Sequence, residues 1–370
     1  MKKVALFIPS FGGGGAERIF IRIANHLSTK DISIDLIVAH NSGELQRLPE
    51  KNVSIIDLRA ARTIYAIPAF LKYLHSRRPD VVLSCTSIPN IIVCFAKLIG
   101  AIPNKAIISE RAVLSLAVAN LNFFHGRLIS LAVLFFYRFS DHIIAVSDDV
   151  KNDLVESYGI NPSRVSGILN PVFDKKKKFS SWCPREFRGR KFVVSVGRLN
   201  TQKDHISTIH AFSKCCFELD VNLLILGEGE EKKKIQNLVL KLGLSDRVFL
   251  LGFRKRPDLW IARASLFVSA SRFEGLPSAV IEAVQIGLPI LVKDCPGGIN
   301  EIFRNGRYAK VVPLSRQEIF VDAMRQILTA SLAGSFVVES SRLDFLEDNF
   351  GIDNQIRKYE DLLMSPVKKI

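Results

Sequence analysis

The fold of this chain is indicated most clearly by residues 269–283, which read Ser-Ala-Ser-Arg-Phe-Glu-Gly-Leu-Pro-Ser-Ala-Val-Ile-Glu-Ala. The apolar run before them predicts a buried strand. Gly275 allows a sharp turn, and Pro277 suits the first turn of a helix. A helix start attracts phosphate through its unpaired N–H groups and its dipole. With Glu274 and Glu282 on either side of the turn, the stretch predicts a sugar-nucleotide site, in which one part holds the diphosphate and another holds sugar hydroxyls.

Strand-like and helical patterns alternate along the whole chain. Alternation of this kind predicts parallel sheets with crossover helices, and therefore an α/β fold. The strand-like runs form two series, residues 4–8, 33–39, 54–57, 81–84, 105–109 and 142–146, and then residues 192–196, 222–226, 247–250, 265–269, 289–293 and 310–312.

The junction between the two series contains Asn170-Pro171, which breaks local structure, and a solvated lysine run at 175–178. A length of 370 residues fits two domains. We therefore predict domains at 1–168 and 169–352, followed by a last helix that begins near Asp353.

The composition restricts the partners and the compartment. A net charge of +15 favours anionic partners, namely nucleotide phosphates, anionic lipid headgroups or nucleic acid. The six cysteines contain no C-x-x-C pair, which suits a reducing cytosol. The apolar run at 4–8 is too short for a signal peptide and is interpreted as the first strand.

Residues 112–139 are strongly apolar and aromatic, and Arg127 and Arg138 are their main charges. Neither half of the segment reaches the roughly 20 apolar residues that a bilayer span needs. Two interpretations stay open. The segment either dips into a membrane surface or forms a pair of buried helices in the first domain.

Two further motifs suit phosphate chemistry. Arg198 and Lys203 follow a predicted strand, and two cations at the carboxyl end of a strand suit a diphosphate leaving group. The glycine run 12–15 stands between the first strand and the first helix, where backbone N–H groups can approach phosphate. Taken alone, Glu17 favours the helix dipole and Arg18 is a surface cation.

These motifs resemble those of the family-four retaining glycosyltransferases, also called group 1. Residues 274–282 are similar to the family's Glu-x7-Glu motif, residues 197–203 to its Gly-Arg-x4-Lys motif, and residues 14–18 to its Gly-Gly-Ala-Glu-Arg loop. The resemblance implies the GT-B architecture, in which two Rossmann-like domains with parallel sheets face a central cleft. It also implies that the second domain binds a nucleotide diphosphate sugar, that the first binds the acceptor, and that the C-terminal helix 353–370 packs back on the first domain.

The resemblance assigns roles to individual residues. Glu110-Arg111 stands where many relatives have His-Asp, and it resembles a subset that acts on lipid-linked acceptors. An internal pair between Glu110 and Arg111 is the alternative. The implied catalytic residues are Glu274, Arg198 and Lys203. The implied donor-binding residues are Gly14, Gly227, Phe253, Arg254, Gly275, Leu276, Pro277, Ser278 and Glu282. The implied acceptor residues are Gly13, Glu17, Arg18, Glu110 and Arg111.

The expected function is the transfer, with retention, of a hexose or N-acetylhexosamine from a nucleotide diphosphate sugar, most readily a UDP-sugar. The expected acceptor is a glycan linked to polyprenyl diphosphate, at the inner face of the cytoplasmic membrane, whose anionic surface is a further partner. Because no Asp-x-Asp stands at a strand end, neither a metal nor another cofactor is expected. Nucleic acid is not expected as a partner. Two alternatives stay open: a sugar-nucleotide epimerase of the same layout, and a non-catalytic module that binds membranes or nucleic acid.

Overall fold

The structure is a computed structural model that describes residues 2–102, 104–179, 187–303, 307–337 and 339–366, with the backbone alone for residues 216 and 217. The chain divides into two units. Unit 1 comprises Met1–Pro171 and Ile352–Ile370, and unit 2 comprises Val172–Gly351. The sequence predicted the junction after residue 168, and the division falls after Pro171.

Unit 1 is built on a seven-stranded parallel sheet with the strand order β3-β2-β1-β4-β5-β6-β7. Its central strands are buried runs of Val, Ile, Leu and Ala, as expected for a parallel sheet covered on both faces. The strands are β1 (Lys2–Ser10), β2 (Ile32–His40), β3 (Val53–Asp57), β4 (Val81–Cys85), β5 (Lys105–Glu110), β6 (His142–Ala145) and β7 (Val165–Gly167).

The helices of unit 1 lie in the connections between its parallel strands. α1 begins directly after the glycine run, and α5 follows a short helix within the apolar segment. Their bounds are α1 (Gly15–Leu27), α2 (Ile67–Arg77), α3 (Ser87–Leu98), α4 (Leu114–Ala119), α5 (Phe123–Phe136) and α6 (Asp148–Glu156).

Unit 2 is built on a six-stranded parallel sheet with the strand order β10-β9-β8-β11-β12-β13. One face packs against α7, α9 and α13 in a core that contains Val193, Leu223, Leu266 and Phe320. The strands are β8 (Phe192–Val196), β9 (Asn222–Leu226), β10 (Val248–Gly252), β11 (Leu266–Ser269), β12 (Ile290–Asp294) and β13 (Lys310–Pro313). The helices are α7 (His205–Ser213), α8 (Cys216–Leu219), α9 (Lys232–Lys241), α10 (Pro257–Ile261), α11 (Ser278–Ile286), α12 (Ile299–Phe303), α13 (Gln317–Leu332) and α14 (Arg342–Phe350).

The last helix, α15 (Ile352–Met364), belongs to unit 1. Its terminal carbonyls accept hydrogen bonds from two lysines of the sheet. Lys2 Nζ donates to Leu363 O at 3.0 Å, and Lys105 Nζ donates to Leu362 O at 2.5 Å. Unit 1 is therefore completed by a segment that follows unit 2 in the chain.

The predicted α/β class with two parallel sheets is confirmed, and each of the twelve predicted strands corresponds to an observed one. The sequence did not predict β7. This strand has three residues, Val165–Gly167, and only its first is fully buried, so it lacks the apolar run by which the other strands were recognised.

Candidate active site

The candidate donor site lies at the point in the unit 2 sheet where the order of the strands changes direction. β8 is the first strand of this sheet, β9 and β10 lie on one side of it, and β11 lies on the other. Ligands of open α/β sheets bind outside the carboxyl ends of the strands at such a switch point. The loops that follow β8 and β11 carry the predicted motifs, so the topology brings both motifs to this place.

Lys203 and Glu274 meet at the switch point. Lys203 Nζ lies 2.5 Å from Glu274 Oε1, and the Glu274 residue is 5% exposed. The stem of Lys203 covers Gly197, where an added Cβ would lie 3.0 Å from Cγ and Cδ of the lysine. Among the described residues, none donates a hydrogen bond to Glu274 Oε2. One carboxylate oxygen therefore holds the ammonium group, and the other is available to a ligand hydroxyl.

Further hydrogen bonds join the two loops. Arg272 N donates to Gln202 O at 2.8 Å, and Gln202 Nε2 donates to Phe273 O at 3.0 Å. Arg272 Nε also lies 3.2 Å from Oδ2 of Asp204, whose side chain caps α7. These contacts fix the backbone on both sides of the Lys203–Glu274 pair, so that its geometry does not depend on the ion pair alone.

The loop after β12 supports the Glu274 turn from another side. Glu274 N donates to Pro296 O at 2.8 Å, and Gly298 N donates to Gly275 O at 2.6 Å. Gly297 has φ 123°, and a Cβ there would lie 2.5 Å from Glu274 O. This close approach of two backbones requires glycine.

The helix after the turn covers Ser278–Ile286, as the sequence pattern indicated. Pro277 is the N-cap residue, with φ −74° and ψ 99°, and α11 starts at Ser278. The N–H group of Ala279 donates to no backbone carbonyl of the described residues. Leu276 and Pro277 are buried, whereas Ser278 is half-buried. Glu282 lies one helical turn further along and close enough to Arg256 to contribute to the raised pKa of that guanidinium, whose main cause is its hydrogen bonding to Asp258.

The other predicted donor residues lie at neighbouring strand ends. Arg198 is exposed and makes no ion pair with any residue that the structure describes. Gly227, at φ 153°, allows its backbone to approach Gly197, because a Cβ would lie 1.9 Å from Gly197 O. Phe253 is half-buried after β10, and the Arg254 guanidinium lies over the Trp260 ring at 5.6 Å.

His205 fixes the start of the Lys203 loop. Its ring nitrogens lie 3.3 Å from Ser195 Oγ and 3.4 Å from Gly197 O. Burial lowers the pKa of His205 to about 4, so the ring is neutral at physiological pH. We assign it a structural role.

The predicted acceptor residues of unit 1 lie at the carboxyl ends of β1 and β5. Gly13 is exposed and Glu17 is buried in the first turn of α1, whereas Gly14, which was predicted to bind the donor, is the N-cap residue of that helix. Arg18 lines a cavity of about 420 Å³ along α1, together with Arg22, His26 and Glu50. The cavity lies within unit 1.

Glu110 ends β5 and is held in a buried network. Tyr137 OH donates to Glu110 Oε2 at 2.7 Å, and Arg111 N donates to Oε1 at 3.0 Å. Asn90 Nδ2 donates to Ser109 O at 3.0 Å and lies 3.3 Å from Tyr137 OH. Burial raises the pKa of Glu110 to about 7, although the hydrogen bonds oppose the rise.

Glu17 and Glu110 both lie near Cys85, at the end of the strand between β1 and β5. Burial raises the pKa of Cys85 well above its usual value, and Glu17 and Glu110 raise it further, against the effect of Arg111. The structure therefore brings the two predicted acceptor carboxylates to one edge of the sheet.

Arg111 has several partners within unit 1. Its guanidinium lies 3.1 Å from Tyr359 OH on α15, 2.5 Å from Asn170 Oδ1 and 5.9 Å from the Phe20 ring. The side chains of Glu110 and Arg111 form no ion pair, so the internal pair that the sequence allowed is absent. Arg111 joins β5 to the last helix.

The apolar segment 112–139 contains one helix that contributes to the core and one that is largely exposed. The short α4 buries Leu114 and Val118, as a core helix does. In α5, by contrast, only Gly126 and Val133 are buried. Its exposed large side chains are Phe123 at 71%, Phe124 at 82%, Leu128 at 68%, Leu131 at 56%, Leu134 at 40% and Phe135 at 49%. No helix among the described residues is long and apolar enough to cross a membrane.

Sequence reasoning did not single out several residues of these sites, namely Asn90, Tyr137, Gln202 and Arg272. Arg272 lies two residues before Glu274 in the chain. This position could have indicated that Arg272 belongs to the site. Nothing in the sequence marks Tyr137, because it lies inside an apolar run and meets Glu110 only in the folded unit. Among the residues described, no group of three or more His, Cys, Asp or Glu side chains is arranged to hold a metal ion.

Two parallel-sheet units, one of which carries Lys203 and Glu274 at the switch point of its sheet, fit the class of nucleotide-binding α/β proteins. Family models identify the class further. Residues 13–175 match the model described as Glycosyltransferase Family 4, and residues 177–336 match the model described as Glycosyl transferases group 1. The chain belongs to the group 1 glycosyltransferases, and the resemblance drawn from its motifs is confirmed.

Individual relatives agree with this assignment. The chain is 25% identical over 337 residues to N-acetylgalactosamine-N,N'-diacetylbacillosaminyl-diphospho-undecaprenol 4-alpha-N-acetylgalactosaminyltransferase of Campylobacter jejuni, covering 89% of this chain and 90% of that protein. It is 23% identical to the amylovoran biosynthesis glycosyltransferase AmsD of Erwinia amylovora, covering 98% and 100%. HepE of Anabaena, solved in complex with UDP and glucose, superposes with a TM-score of 0.80 at 19% identity, covering 99% and 100%. This likeness confirms the GT-B fold.

Proposed function

We propose that the protein is a retaining, metal-independent glycosyltransferase that moves a hexose or N-acetylhexosamine from a UDP-sugar to a glycan linked to polyprenyl diphosphate. The observation that carries the proposal is the Lys203–Glu274 pair, 2.5 Å apart at the switch point of unit 2. It combines a cation for a diphosphate with a carboxylate for sugar hydroxyls, which are the two groups that a nucleotide sugar joins.

In this proposal, Lys203, Arg198 and the start of α11 stabilise the departing diphosphate. Negative charge develops there in the transition state, and preorganised cations and N–H groups are most effective at that position. Glu274 Oε1 orients the Lys203 ammonium, while Oε2 accepts a hydrogen bond from a hydroxyl of the donor sugar. Glu282 holds the ribose. Gly227, Phe253 and Arg254 line the nucleotide part of the site.

The reaction exchanges one bond at the anomeric carbon and transfers one proton. The acceptor hydroxyl oxygen attacks the anomeric carbon on the face that the leaving group vacates, and the bond between that carbon and the diphosphate oxygen breaks. The acceptor proton passes to the departing phosphate oxygen, so the products are a glycoside and UDP. A covalent adduct on Glu274 is the less favoured variant, because Glu274 Oε1 is engaged by Lys203.

The proposed donor and acceptor are supported by relatives. HepE was solved with UDP and glucose, and the Campylobacter jejuni relative acts on a diphospho-undecaprenol glycan according to its name. In unit 1, the carboxylates of Glu17 and Glu110 suit acceptor hydroxyls, while Gly13 and Arg18 suit an acceptor phosphate. Arg111 contributes by holding β5 against α15.

We further propose that the protein acts at the inner, anionic face of the cytoplasmic membrane, with α5 as the contacting element. Six large apolar side chains of α5 are exposed, and a patch of this kind marks an interaction surface. Arg127 and Arg138 lie over the rings of Phe123 and Phe135 at 6.0 and 5.6 Å. Cations beside exposed aromatic rings suit an interface with anionic headgroups.

One experiment tests the proposed reaction. A panel of nucleotide sugars is first screened by thermal shift, because a ligand that binds only the folded protein raises its melting temperature. The stabilising donors are then incubated with a polyprenyl-diphosphate-linked glycan, with and without EDTA, and the anomeric configuration of the product is determined by NMR. We expect UDP-sugars to stabilise the protein and the product to retain configuration with or without EDTA.

Other outcomes would contradict specific parts of the proposal. An inverted product would refute retention, loss of transfer in EDTA would refute metal independence, and transfer to a soluble glycan alone would refute the lipid-linked acceptor. A new sugar nucleotide formed without acceptor would instead identify an epimerase.

A further inference from the structure

The buried contact between Tyr137 and Glu110 joins two parts of unit 1. Glu110 is the last residue of β5, and Tyr137 directly follows α5. The Tyr137 hydroxyl donates to Glu110 Oε2 at 2.7 Å, and both side chains are buried. A carboxylate proposed to bind the acceptor is therefore held by the element that carries the exposed aromatic face.

We propose that Tyr137 is a positioning residue of the acceptor site, whose hydroxyl holds the Glu110 carboxylate in the orientation that accepts a hydrogen bond from an acceptor hydroxyl. This inference rests on the proposed function, in which Glu110 contacts the acceptor, and it adds a residue that no motif marks.

The network around the pair leaves Glu110 a single orientation. Asn90 holds the Tyr137 hydroxyl, because its Nδ2 group donates to Tyr137 OH at 3.3 Å and to Ser109 O at 3.0 Å. The Asn90 amide is fixed in turn by Ser84 Oγ, which donates to Asn90 Oδ1 at 2.8 Å. Each Glu110 oxygen accepts one described hydrogen bond and retains a lone pair. A fully connected network of this kind defines one geometry, and the remaining lone pairs are the sites for an acceptor hydroxyl.

The charges around Glu110 make the Tyr137 hydroxyl important for the ionised form. The pKa of Glu110 is raised to about 7, mainly by burial and also by Asp153 of α6, while Tyr137, Arg111 N and the Asn90 amide oppose the rise. Glu17 of α1 and Cys85 of β4 lie on the same edge, together with the Arg111 guanidinium. The Tyr137 hydrogen bond lowers the pKa of Glu110, so its loss should raise that pKa and leave more of the carboxyl protonated, which is a weaker acceptor, at neutral pH.

A purely structural role explains this network poorly. Burial of a carboxylate costs free energy of desolvation, which its hydrogen bonds offset only in part when its pKa stays raised. Glu110 lies at the carboxyl edge of the sheet, which is where open α/β sheets bind ligands. A role in binding a ligand explains why a carboxylate is buried at that edge in spite of the cost in free energy.

The test compares Tyr137→Phe with Tyr73→Phe. Tyr73 OH donates to Asp35 Oδ2 at 2.8 Å, so each substitution removes one hydroxyl from one carboxylate of unit 1. The measurement is kcat/KM for the acceptor from pH 5.5 to 9 at saturating donor. A hydrogen bond to a charged group contributes about 1.5–3 kcal/mol. The acidic limb of the kcat/KM profile is the fall in activity at low pH, where Glu110 becomes protonated. We therefore expect Tyr137→Phe to move this limb to higher pH by about one to two units and to raise the acceptor KM at pH 7. The donor KM should not change, and Tyr73→Phe should leave the limb in place.

An unmoved limb in folded, active Tyr137→Phe would overturn the inference, and so would equal changes in the donor and acceptor KM. If Tyr137→Phe does not fold, Glu110→Gln serves instead and should abolish the limb. A second readout needs no turnover. In infrared difference spectra, the protonated carboxyl band that is lost in Glu110→Gln should titrate at a higher pH in Tyr137→Phe. An unchanged titration would refute the role of Tyr137, whereas a wild-type protein that transfers no sugar would refute the proposed function.

Discussion

Lys203 Nζ lies 2.5 Å from Glu274 Oε1, although 71 positions separate the two residues in the chain. The contact closes the gap between the loops after β8 and β11, which leave the sheet on either side of its switch point. Each side chain orients the other, so we expect Lys203 and Glu274 to act as one unit.

Substitution of either partner should therefore impair the same step. We expect Lys203→Met and Glu274→Gln each to lower kcat by about 10²- to 10³-fold, because each removes part of a preorganised electrostatic site. The double variant should lose little more than the worse single variant, since residues that act as a unit are not additive. Steady-state kinetics with a UDP-sugar measure this. Lys234→Met is the matched control, because Lys234 pairs with Glu231 at 3.0 Å on the exposed face of α9. Losses that multiply in the double variant would contradict the coupling.

A methyl group at Gly298 should displace the Glu274 turn. An added Cβ would lie 2.3 Å from Leu276 Cδ1 and 2.9 Å from Gly275 O. We expect Gly298→Ala to lower the free energy of unfolding by about 1–3 kcal/mol, the usual cost of overpacking, and to raise the donor KM. Denaturant titration and kinetics measure the two effects. Gly167→Ala is the control, because a Cβ there would meet no atom within 4 Å. Equal stability and KM in both variants would show that the β12 loop does not support the turn.

The pH dependence of stability should reveal Glu110. Its pKa rises from 4.5 to about 7 on folding, so the folded protein binds this proton more tightly than the unfolded chain. The stabilisation is complete below pH 4.5 and is lost as the pH rises through 7. We expect Glu110→Gln to gain about 3 kcal/mol relative to wild type between pH 4.5 and pH 8. Urea denaturation at the two pH values measures this, with the exposed Glu156→Gln as the control. A difference that is independent of pH would contradict the raised pKa.

The aromatic face of α5 should determine membrane binding. Serine at both Phe123 and Phe124 removes the two most exposed rings of the helix. Burial of a large apolar side chain contributes about 1.5–3 kcal/mol, so we expect at least a tenfold lower partition onto vesicles that contain phosphatidylglycerol. Flotation in a density gradient measures the partition. Leu240→Ser, at an exposed apolar position of α9, should bind like wild type. Flotation that the double substitution leaves unchanged would exclude α5 as the contacting element.

Much of the fold follows from local patterns in the sequence. The buried strands are continuous apolar runs, and each is bounded by a turn or a helix start, so their positions could be predicted. The pairing of Lys203 with Glu274 could also be anticipated, because both residues follow strands of one sheet. The strand β7 could not be predicted in the same way, because its three residues, of which only Val165 is buried, give no periodic signal.

The hydrogen-bond network around Glu110 in unit 1 could not be predicted from the sequence, for a different reason. Tyr137 and Glu110 are joined by tertiary packing, and the aromatic run around Tyr137 reads equally as core or as surface. The same ambiguity explains α4 and α5, which have similar composition but opposite exposure. Only the position of each helix against the sheet decides which side chains are covered.

The return of α15 to unit 1 has a consequence for biosynthesis. Residues 1–171 emerge from the ribosome first. Their side chains Lys2, Lys105 and Arg111, however, form hydrogen bonds with the helix at 352–364, which is translated only after all of unit 2. Domains generally fold in the order in which they emerge. Here the first half of the nascent chain has to wait, with the partners of these three side chains still missing, until the second half has been translated.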